Sequence, residues 1–386
     1  MLCLLSLNST TDVQNPTRRK QSQQKRQISI PTEPLSLSLM PLTSPKWLQC
    51  PSLSFTIPTS LFQYPRNSST FLCNYCFKNK EQTQSWNGLK VIRGKKLLKD
   101  LTTWGIGGVC NYFVEVFDQT QLLSAIRYCH VNSIPYIIIG KGSNCLFDDL
   151  GFDGCLILNR IEFLERIDPG VYRVGSGFRF NQLGVLSCNE GFTGLEFSGG
   201  VPGTVGGATY MNAGANGQET ASTIESIDIV TTEGAFQTLH RVDLSFGYRS
   251  SPFQDMKDLA AITAVTFRLQ GSGSARKRQQ ELLKRRRITQ PLGERSAGSV
   301  FRNPSSLGVS AAELIDKTGL KGFSIGGAMV SHIHANFFVN IGGSTSQDML
   351  NLIAFVKDKV DKKFGIELEE EVLYFHPYCN LMNKER

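Results

Sequence analysis

Hydrophobic residues recur every three or four positions in three segments of this chain, and this spacing predicts amphipathic helices. The segments are residues 119–131, 311–318 and 347–363. In the first, four apolar residues share one helical face: Leu122, Ala125, Ile126 and Cys129. A fourth helix is predicted at residues 275–287, where cations on a solvated face dominate the pattern.

Short apolar runs bounded by turn residues predict strands elsewhere in the chain. Such runs dominate residues 161–272, and two more, YIII and LFDD, flank a polar loop at residues 140–144. The run HANFFVNI between the last two helices and the closing run GIELEEEVLYF are also predicted to be strands. With 386 residues, the chain is long enough for two or three domains.

The first 80 residues differ in composition from the rest. They are rich in Ser, Thr, Pro and Gln, and nine Lys/Arg stand against two acidic residues. Such a segment cannot bury much apolar surface, and a basic, acid-poor, serine-rich N-terminus is typical of organelle transit peptides. We therefore expect a presequence over residues 1–82, with a simple disordered tail as the alternative. No run reaches the roughly 18 apolar residues of a membrane span, so no membrane partner is expected.

Charge and cysteine placement argue against two further kinds of site. The N-terminal segment carries about seven of the eight excess positive charges, so the remainder is nearly neutral and does not indicate a nucleic-acid partner. The ten cysteines are scattered, as in reduced intracellular enzymes. Cys73 and Cys76 have the CxxC spacing of a zinc pair, but no second pair or nearby histidine accompanies them. We expect no metal site.

The stretch RSAGSVFRNP at residues 295–304 holds a candidate proton donor. Ser299 follows Gly298, which lets the backbone take conformations that a β-carbon hinders, and a cation, Arg302, follows three residues later. A serine hydroxyl both donates and accepts a proton. Beside an anion-binding group, such a serine can protonate a substrate; a polar surface turn is the alternative.

Two glycine-rich segments suit a ligand with a diphosphate. Residues 137–148 read IIIGKGSNCLFD, in which two glycines let backbone N–H groups approach a ligand closely and Ser143 and Asn144 add side-chain donors. Residues 194–219 contain eight glycines among 26 residues, with apolar residues too specific for a spacer. Neither segment matches a Walker loop or G-x-G-x-x-G. The alternatives are a glycine hairpin without a ligand and a flexible linker.

Taken in order, these motifs resemble those of the UDP-N-acetylenolpyruvoylglucosamine reductase family over residues 101–375. The matching segments are TTWGIGG at 102–108, GKGSN at 140–144, GFDG at 151–154, GLEFSGGVPGTVGGA at 194–208, MNAGA at 211–215, YRSS at 248–251, TQPLGERSAGSVFRNP at 289–304, GLKGFSIGGAMVSHIHANFFVN at 319–340 and LEEEV at 368–372. The glycine loops alone would indicate only the wider family of FAD oxidoreductases related to vanillyl-alcohol oxidase.

The resemblance implies an α+β fold with a two-part FAD-binding domain of the vanillyl-alcohol-oxidase-like type and a C-terminal α+β substrate-binding domain. It implies FAD-binding subdomains at 83–160 and 161–274, a substrate domain at 275–378 and a tail at 379–386. FAD is expected to bind noncovalently, with NADPH as reductant. The implied cofactor contacts are Gly140, Lys141, Gly142, Ser143, Asn144, Cys145, Ser198, Gly199, Gly203, Thr204, Gly206, Gly207 and Asn212.

The implied reaction reduces the enolpyruvyl ether of UDP-N-acetylglucosamine enolpyruvate to UDP-N-acetylmuramate. Hydride goes from reduced flavin to C3 and a proton from Ser299 to C2. By motif, Arg249 holds the carboxylate and stabilises the enolate, since its fork suits bidentate carboxylate binding, and Glu371 assists protonation. The implied substrate contacts are Tyr248, Arg249, Arg302 and Asn303. The enzyme is expected to be a monomer in the plastid stroma, with mitochondrion or cytoplasm as alternatives.

A subtype, a departure at Gly105 and two alternative functions accompany the resemblance. Arg249 and Ser299 are too close in sequence for the extra segment of the family's longer subtype, so the chain is expected to be of the shorter subtype. Gly105 stands where many members have arginine. The alternative functions are an FAD oxidase of the wider family, acting on an alcohol or sugar, and a flavin-binding protein that has lost catalysis.

Overall fold

The computed structural model describes residues 83–304 and 308–378. The strands are β1 (Thr83–Trp86), β2 (Leu89–Arg93), β3 (Cys110–Val116), β4 (Tyr136–Ile139), β5 (Cys145–Phe147), β6 (Phe152–Asn159), β7 (Leu164–Asp168), β8 (Val171–Gly175), β9 (Phe192–Thr193), β10 (Gly214–Ala215), β11 (Gln218–Glu219), β12 (Ile224–Thr231), β13 (Phe236–His240), β14 (Leu259–Arg268), β15 (Gln270–Gly271), β16 (Arg295–Ser299), β17 (Ser324–Ile325), β18 (Ala328–Val330), β19 (Phe337–Asn340) and β20 (Leu373–Phe375).

The α-helices are α1 (Gln119–Val131), α2 (Phe180–Asn189), α3 (Val205–Tyr210), α4 (Ala275–Thr289), α5 (Ala311–Lys317) and α6 (Ser346–Phe364). Short 3₁₀ turns occur at Leu98–Asp100, Glu196–Gly200, Thr220–Ser222, Arg241–Asp243 and Pro252–Gln254. None of the helices in the described ranges is long and apolar enough to cross a membrane. The expected presequence, Cys73, Cys76 and the expected tail lie outside the described residues.

Three larger sheets, of five, five and four strands, divide the described chain. The first has the order β1-β2-β3-β6-β4, with β3 and β4 both parallel to β6. Helix α1 connects β3 to β4 and returns the chain, so that these two strands run in the same direction. The second, β13-β12-β14-β8-β7, is antiparallel throughout, and so is the third, β16-β19-β18-β17. The sheets fall within the three predicted domains, but β20 returns to pair in parallel with β5 near the first sheet. The domain bounds themselves stay a prediction.

The amphipathic helices form where their spacing predicts them. The four apolar residues predicted for one face of α1 are all buried against the first sheet. Helix α6 buries an apolar stripe that includes Met349 and Val356 in the core beneath the third sheet. It begins with a capping box between Thr345 and Asp348 and ends at Gly365, whose φ of 66° suits glycine. The basic helix is confirmed as α4.

The closing strand is shorter than predicted. Only β20 pairs as a strand, whereas residues 369–371 turn towards the chain that follows β16. The backbone N–H of Arg302 donates to the carbonyl of Glu369 (2.8 Å), and the N–H of Glu371 donates to that of Val300 (2.7 Å). This departure brings the acidic LEEEV segment alongside Ser299.

Candidate active site

Ser299 lies at the end of a bulged strand. In β16, Ser296 is opposite Val339 but Ser299 is opposite Phe337, so β16 has one residue more than β19 over this stretch. Gly298 absorbs the extra residue with a φ of 79°, in the left-handed region where glycine is favoured. A bulge re-aims the side chain that follows it, which accounts for a half-buried serine at a strand end.

Glu371 is held beside Ser299 by backbone contacts. The carbonyl of Val300, the residue after Ser299, accepts the N–H of Glu371. The amide of Asn144, from the first glycine loop, donates to the carbonyl of Glu371 (3.0 Å). The serine strand, the acidic segment and the first glycine loop therefore meet at one place.

Arg249 completes this cluster. Its Nε donates to Oε1 of Glu371 at 2.7 Å, and its Nη2 donates to the carbonyl of Gly214 at 2.8 Å. The two side chains of the pair are only 16% and 15% exposed. Burial raises the pKa of Glu371, and this outweighs the opposing effects of Arg249 and Arg302, so a proton is held more readily than on an ordinary glutamate.

The other predicted substrate contacts surround this pair. Tyr248 packs its ring 5.1 Å from the Arg249 guanidinium, and its hydroxyl accepts the N–H of Asn303 (3.3 Å). The side-chain oxygen of Asn303 accepts the N–H of Ala311 (3.0 Å) and so has a structural partner. Arg302 lies 3.8 Å from Glu369, while its buried Nε has no hydrogen-bond partner in the described part of the chain. Arg302 therefore keeps a donor available for an anion.

The two glycine loops contact each other. The hydroxyl of Ser143 donates to the carbonyl of Pro202 (3.3 Å), and Gly140 lies directly against Thr204. Lys141 adds a cation, whose pKa is lowered by burial and then by Arg179 and Arg160. These two arginines had no signal in the sequence, because only the tertiary fold brings them near the loop.

The predicted glycine contacts divide into two groups. A β-carbon would strike the protein itself within 3.0 Å at Gly140, Gly142, Gly199 and Gly206. At Gly203 and Gly207, the nearest atom would be 3.3 Å and 3.6 Å away. These two glycines and the Lys141 cation fit a diphosphate-bearing cofactor that approaches the backbone closely. The first group serves packing between elements.

Three predicted cofactor residues have other surroundings. Ser198 is fully buried, and its hydroxyl donates to the carbonyl of Leu195 (2.8 Å). Asn212 is also fully buried, with hydrogen bonds inside the protein. Cys145 is half-buried, and desolvation of its thiol raises the pKa to about 12, so the thiol is protonated at neutral pH and a poor nucleophile.

A cavity of about 600 Å³ opens at the 102–107 loop and not at Ser299. Its lining includes Lys99, Thr103, Asp149 and Arg295. Arg295 covers Gly105, where the family resemblance leads one to expect an arginine, with Nη1 3.4 Å from where a β-carbon would stand. A cation from strand β16 thus occupies the space beside Gly105.

Comparisons with known proteins agree with this arrangement. The family model described as FAD binding domain matches residues 110–240, and that of the UDP-N-acetylenolpyruvoylglucosamine reductase C-terminal domain matches residues 290–375. A Protochlamydia amoebophila protein named UDP-N-acetylenolpyruvoylglucosamine reductase is 49% identical over 282 residues, covering 73% of this chain and 93% of that protein. A Chlamydia abortus protein of the same name is 45% identical over 281 residues, with the same coverage.

A solved structure supports the same assignment. The crystal structure of UDP-N-acetylenolpyruvylglucosamine reductase from Thermus caldophilus aligns with a TM-score of 0.61 at 32% identity, covering 74% of this chain and 98% of that one. The α+β fold with an FAD-binding domain is therefore confirmed. Given the identity and coverage of these matches, this chain belongs to the UDP-N-acetylenolpyruvoylglucosamine reductase family.

Proposed function

We propose that this chain reduces UDP-N-acetylglucosamine enolpyruvate to UDP-N-acetylmuramate, with FAD as bound cofactor and NADPH as reductant, and that Ser299, Arg249 and Glu371 carry the protonation step. The observation that carries the residue roles is the buried Arg249–Glu371 pair, 2.7 Å apart, beside the Ser299 bulge. It combines a carboxylate-binding cation with a carboxyl group whose pKa is raised by burial.

When bound and reduced by NADPH, FAD would supply the hydride for C3 of the enolpyruvyl group. Negative charge then develops on the substrate carboxylate as an enolate. Arg249 binds this carboxylate and stabilises the charge, and its buried setting strengthens the interaction. Because Nε of Arg249 is hydrogen-bonded to Glu371 and Nη2 to the carbonyl of Gly214, the guanidinium is oriented before substrate binds.

Ser299 donates its hydroxyl proton to C2 of the enolate, which forms the new C–H bond. Glu371 assists by keeping a proton available, consistent with its raised pKa. Tyr248, Arg302 and Asn303 line the substrate around this point, and Nε of Arg302, which has no hydrogen-bond partner among the described residues, supplies a donor for the anionic part of the nucleotide sugar.

The two glycine loops hold the diphosphate of FAD without a covalent bond. The open glycines Gly203 and Gly207 allow close backbone approach, and Lys141 supplies charge. Ser143, Asn144 and Thr204 lie beside them on the same two loops. The raised pKa of the Cys145 thiol supports noncovalent attachment.

The N-terminal segment is a plastid presequence, and the mature enzyme is a monomer of two FAD-binding subdomains and a substrate domain. The composition of residues 1–82 supports the first point. In addition, 93% of the Protochlamydia relative is covered by only 73% of this chain, so about a quarter of the chain lies outside the shared enzyme.

Ser299→Ala tests the proposal by separating the two half-reactions in rapid-mixing absorbance measurements of the flavin band. Flavin reduction by NADPH needs no proton at C2 and should remain near the wild-type rate. Reoxidation by the enolpyruvyl substrate should slow by roughly 10²–10⁴-fold, the range for losing a positioned acid. Ser296→Ala, on the same strand, is the matched control and should leave both rates unchanged.

Two results would contradict the proposal. If Ser299→Ala slows both half-reactions equally, the serine is not the proton donor. If the wild-type flavin is reoxidised rapidly by oxygen and not by the enolpyruvyl substrate, the oxidase reading is correct.

A further inference from the structure

The side chain of Asn212 connects two loops from inside the protein. Its Nδ2 donates to the carbonyl of Gly247 (2.7 Å) and to Oε2 of Glu219 (3.1 Å), and its Oδ1 accepts the N–H of Ala221 (3.0 Å). The residue is fully buried. Because both donors and the oxygen have protein partners, the amide has a fixed orientation and acts as a rigid tie.

Gly247 begins the tight turn that carries Arg249. Gly247 and Ser250 exchange two backbone hydrogen bonds (3.0 Å and 3.1 Å), with Tyr248 and Arg249 between them. Arg249 has a φ of 53°, in the left-handed region that costs an ordinary residue free energy. Such a conformation persists only where the surroundings hold it, and the bond from Asn212 to Gly247 supplies an anchor from outside the turn.

The same segment also holds the other end of Arg249. After Asn212, the chain forms the β10–β11 hairpin, in which Gly214 pairs with Glu219. The carbonyl of Gly214 accepts Nη2 of Arg249 (2.8 Å), and Glu219 accepts the amide of Asn212. One short segment therefore fixes both the backbone and the guanidinium of Arg249.

We propose that Asn212, supported by Glu219, is a positioning residue for Arg249 and not a cofactor contact. The inference rests on the proposed function, since it assumes that Arg249 binds the substrate carboxylate. Asn212 acts by keeping the turn in its left-handed form, so that the guanidinium reaches Gly214 and Glu371 together. Releasing the turn moves the guanidinium and leaves Lys141, Gly203 and Gly207 in place.

The test uses Asn212→Gly, because glycine accepts the φ of 42° at this position without strain. Flavin-free protein is titrated with FAD to give its Kd, and both half-reactions are followed by rapid mixing. We expect the FAD Kd and the rate of reduction by NADPH to stay within about twofold. Reoxidation by the enolpyruvyl substrate should slow roughly 10- to 100-fold, the scale of a displaced catalytic group.

Two further variants show whether the effect passes through Arg249. Thr223→Val removes a buried hydrogen bond from the same segment, to the carbonyl of Thr220, without touching the turn, and should behave as wild type. In an Arg249→Ala background, Asn212→Gly should slow reoxidation little further, because the group it positions is gone. Should Asn212→Gly not fold, Glu219→Ala at the half-buried hairpin is measured in the same way.

The outcomes separate this inference from the proposed function. A raised FAD Kd with normal reoxidation once loaded would make Asn212 a cofactor residue and overturn the inference. Equal slowing of both half-reactions, or a full additional loss in the Arg249→Ala background, would also overturn it. A wild-type enzyme that the enolpyruvyl substrate does not reoxidise refutes the proposed function instead.

Discussion

Replacing Gly207 with alanine should weaken FAD binding without destabilising the apoprotein, whereas Gly142→Ala should destabilise the apoprotein itself. Gly207 is exposed in α3, and an added β-carbon would meet nothing nearer than Thr204 at 3.6 Å. At Gly142, the β-carbon would lie 2.1 Å from the carbonyl oxygen of Leu101, and φ is 54°. Gly207 therefore leaves space that a ligand can occupy, whereas the space at Gly142 is already filled by the backbone of Leu101.

The two magnitudes follow from these contacts. Alanine in place of a helical glycine gains up to about 1 kcal/mol, so the apoprotein Tm of Gly207→Ala should not fall. A methyl group pressed against the cofactor costs roughly 1–3 kcal/mol, which is about 5- to 150-fold in FAD Kd. For Gly142→Ala, left-handed strain of roughly 1–2 kcal/mol adds to an overlap of roughly 1–3 kcal/mol. At about 2–4 °C per kcal/mol, the apoprotein Tm should fall by several degrees or more.

The assay measures apoprotein Tm by circular dichroism and FAD Kd by quenching of flavin fluorescence. Gly273→Ala is the matched control, because Gly273 is exposed and has no atom within 4 Å of an added β-carbon. If Gly207→Ala binds FAD as wild type does, Gly207 does not face the cofactor. If Gly142→Ala leaves the apoprotein Tm unchanged, the packing argument for that loop is wrong.

Three further predictions concern the ion pair and the flavin. Arg249→Lys should slow reoxidation by substrate about 10²-fold while sparing flavin reduction, because one ammonium cannot replace the fork that reaches both Gly214 and Glu371. If rapid mixing shows that the variant is reoxidised by substrate as fast as the wild type, the guanidinium does not have this orienting role. Burial raises the pKa of Glu371 in the folded protein, so the folded state binds its proton more tightly than the unfolded state does. This contribution to the free energy of unfolding is present at low pH and is lost as the pH rises through the raised pKa. The Tm of Glu371→Gln should therefore rise relative to the wild-type Tm as the pH increases. A difference in Tm that does not change with pH would contradict this. Acid precipitation should release all flavin into the supernatant, whereas flavin retained in the pellet would indicate a covalent bond.

Much of the secondary structure could be predicted from the sequence because its signals are local. The apolar spacing in α1 and α6 predicts both the helices and their buried faces, since a helix repeats every 3.6 residues whatever surrounds it. The order of the glycine, YRSS, serine and LEEEV motifs likewise indicates the family. The closing strand was predicted too long, because Glu371 is hydrogen-bonded to Val300, just after Ser299. The pattern of residues around Glu371 gives no sign of this distant partner.

Only the tertiary structure decides what those residues face. Arg249 and Glu371 are 122 positions apart and form a buried pair because separate loops of the fold converge there. Gly142 and Gly207 look alike in the sequence, since both belong to glycine-rich motifs. In the fold, Gly142 lies against the backbone carbonyl of Leu101, whereas Gly207 has space for a side chain. Asn212 sits in a motif that suggests a cofactor contact, but its side chain is bonded to the Arg249 turn at Gly247 and to Glu219 and Ala221 of its own segment. Propensity and periodicity concern neighbours along the chain, whereas contacts across loops depend on how the sheets pack, and that is fixed only when the chain folds.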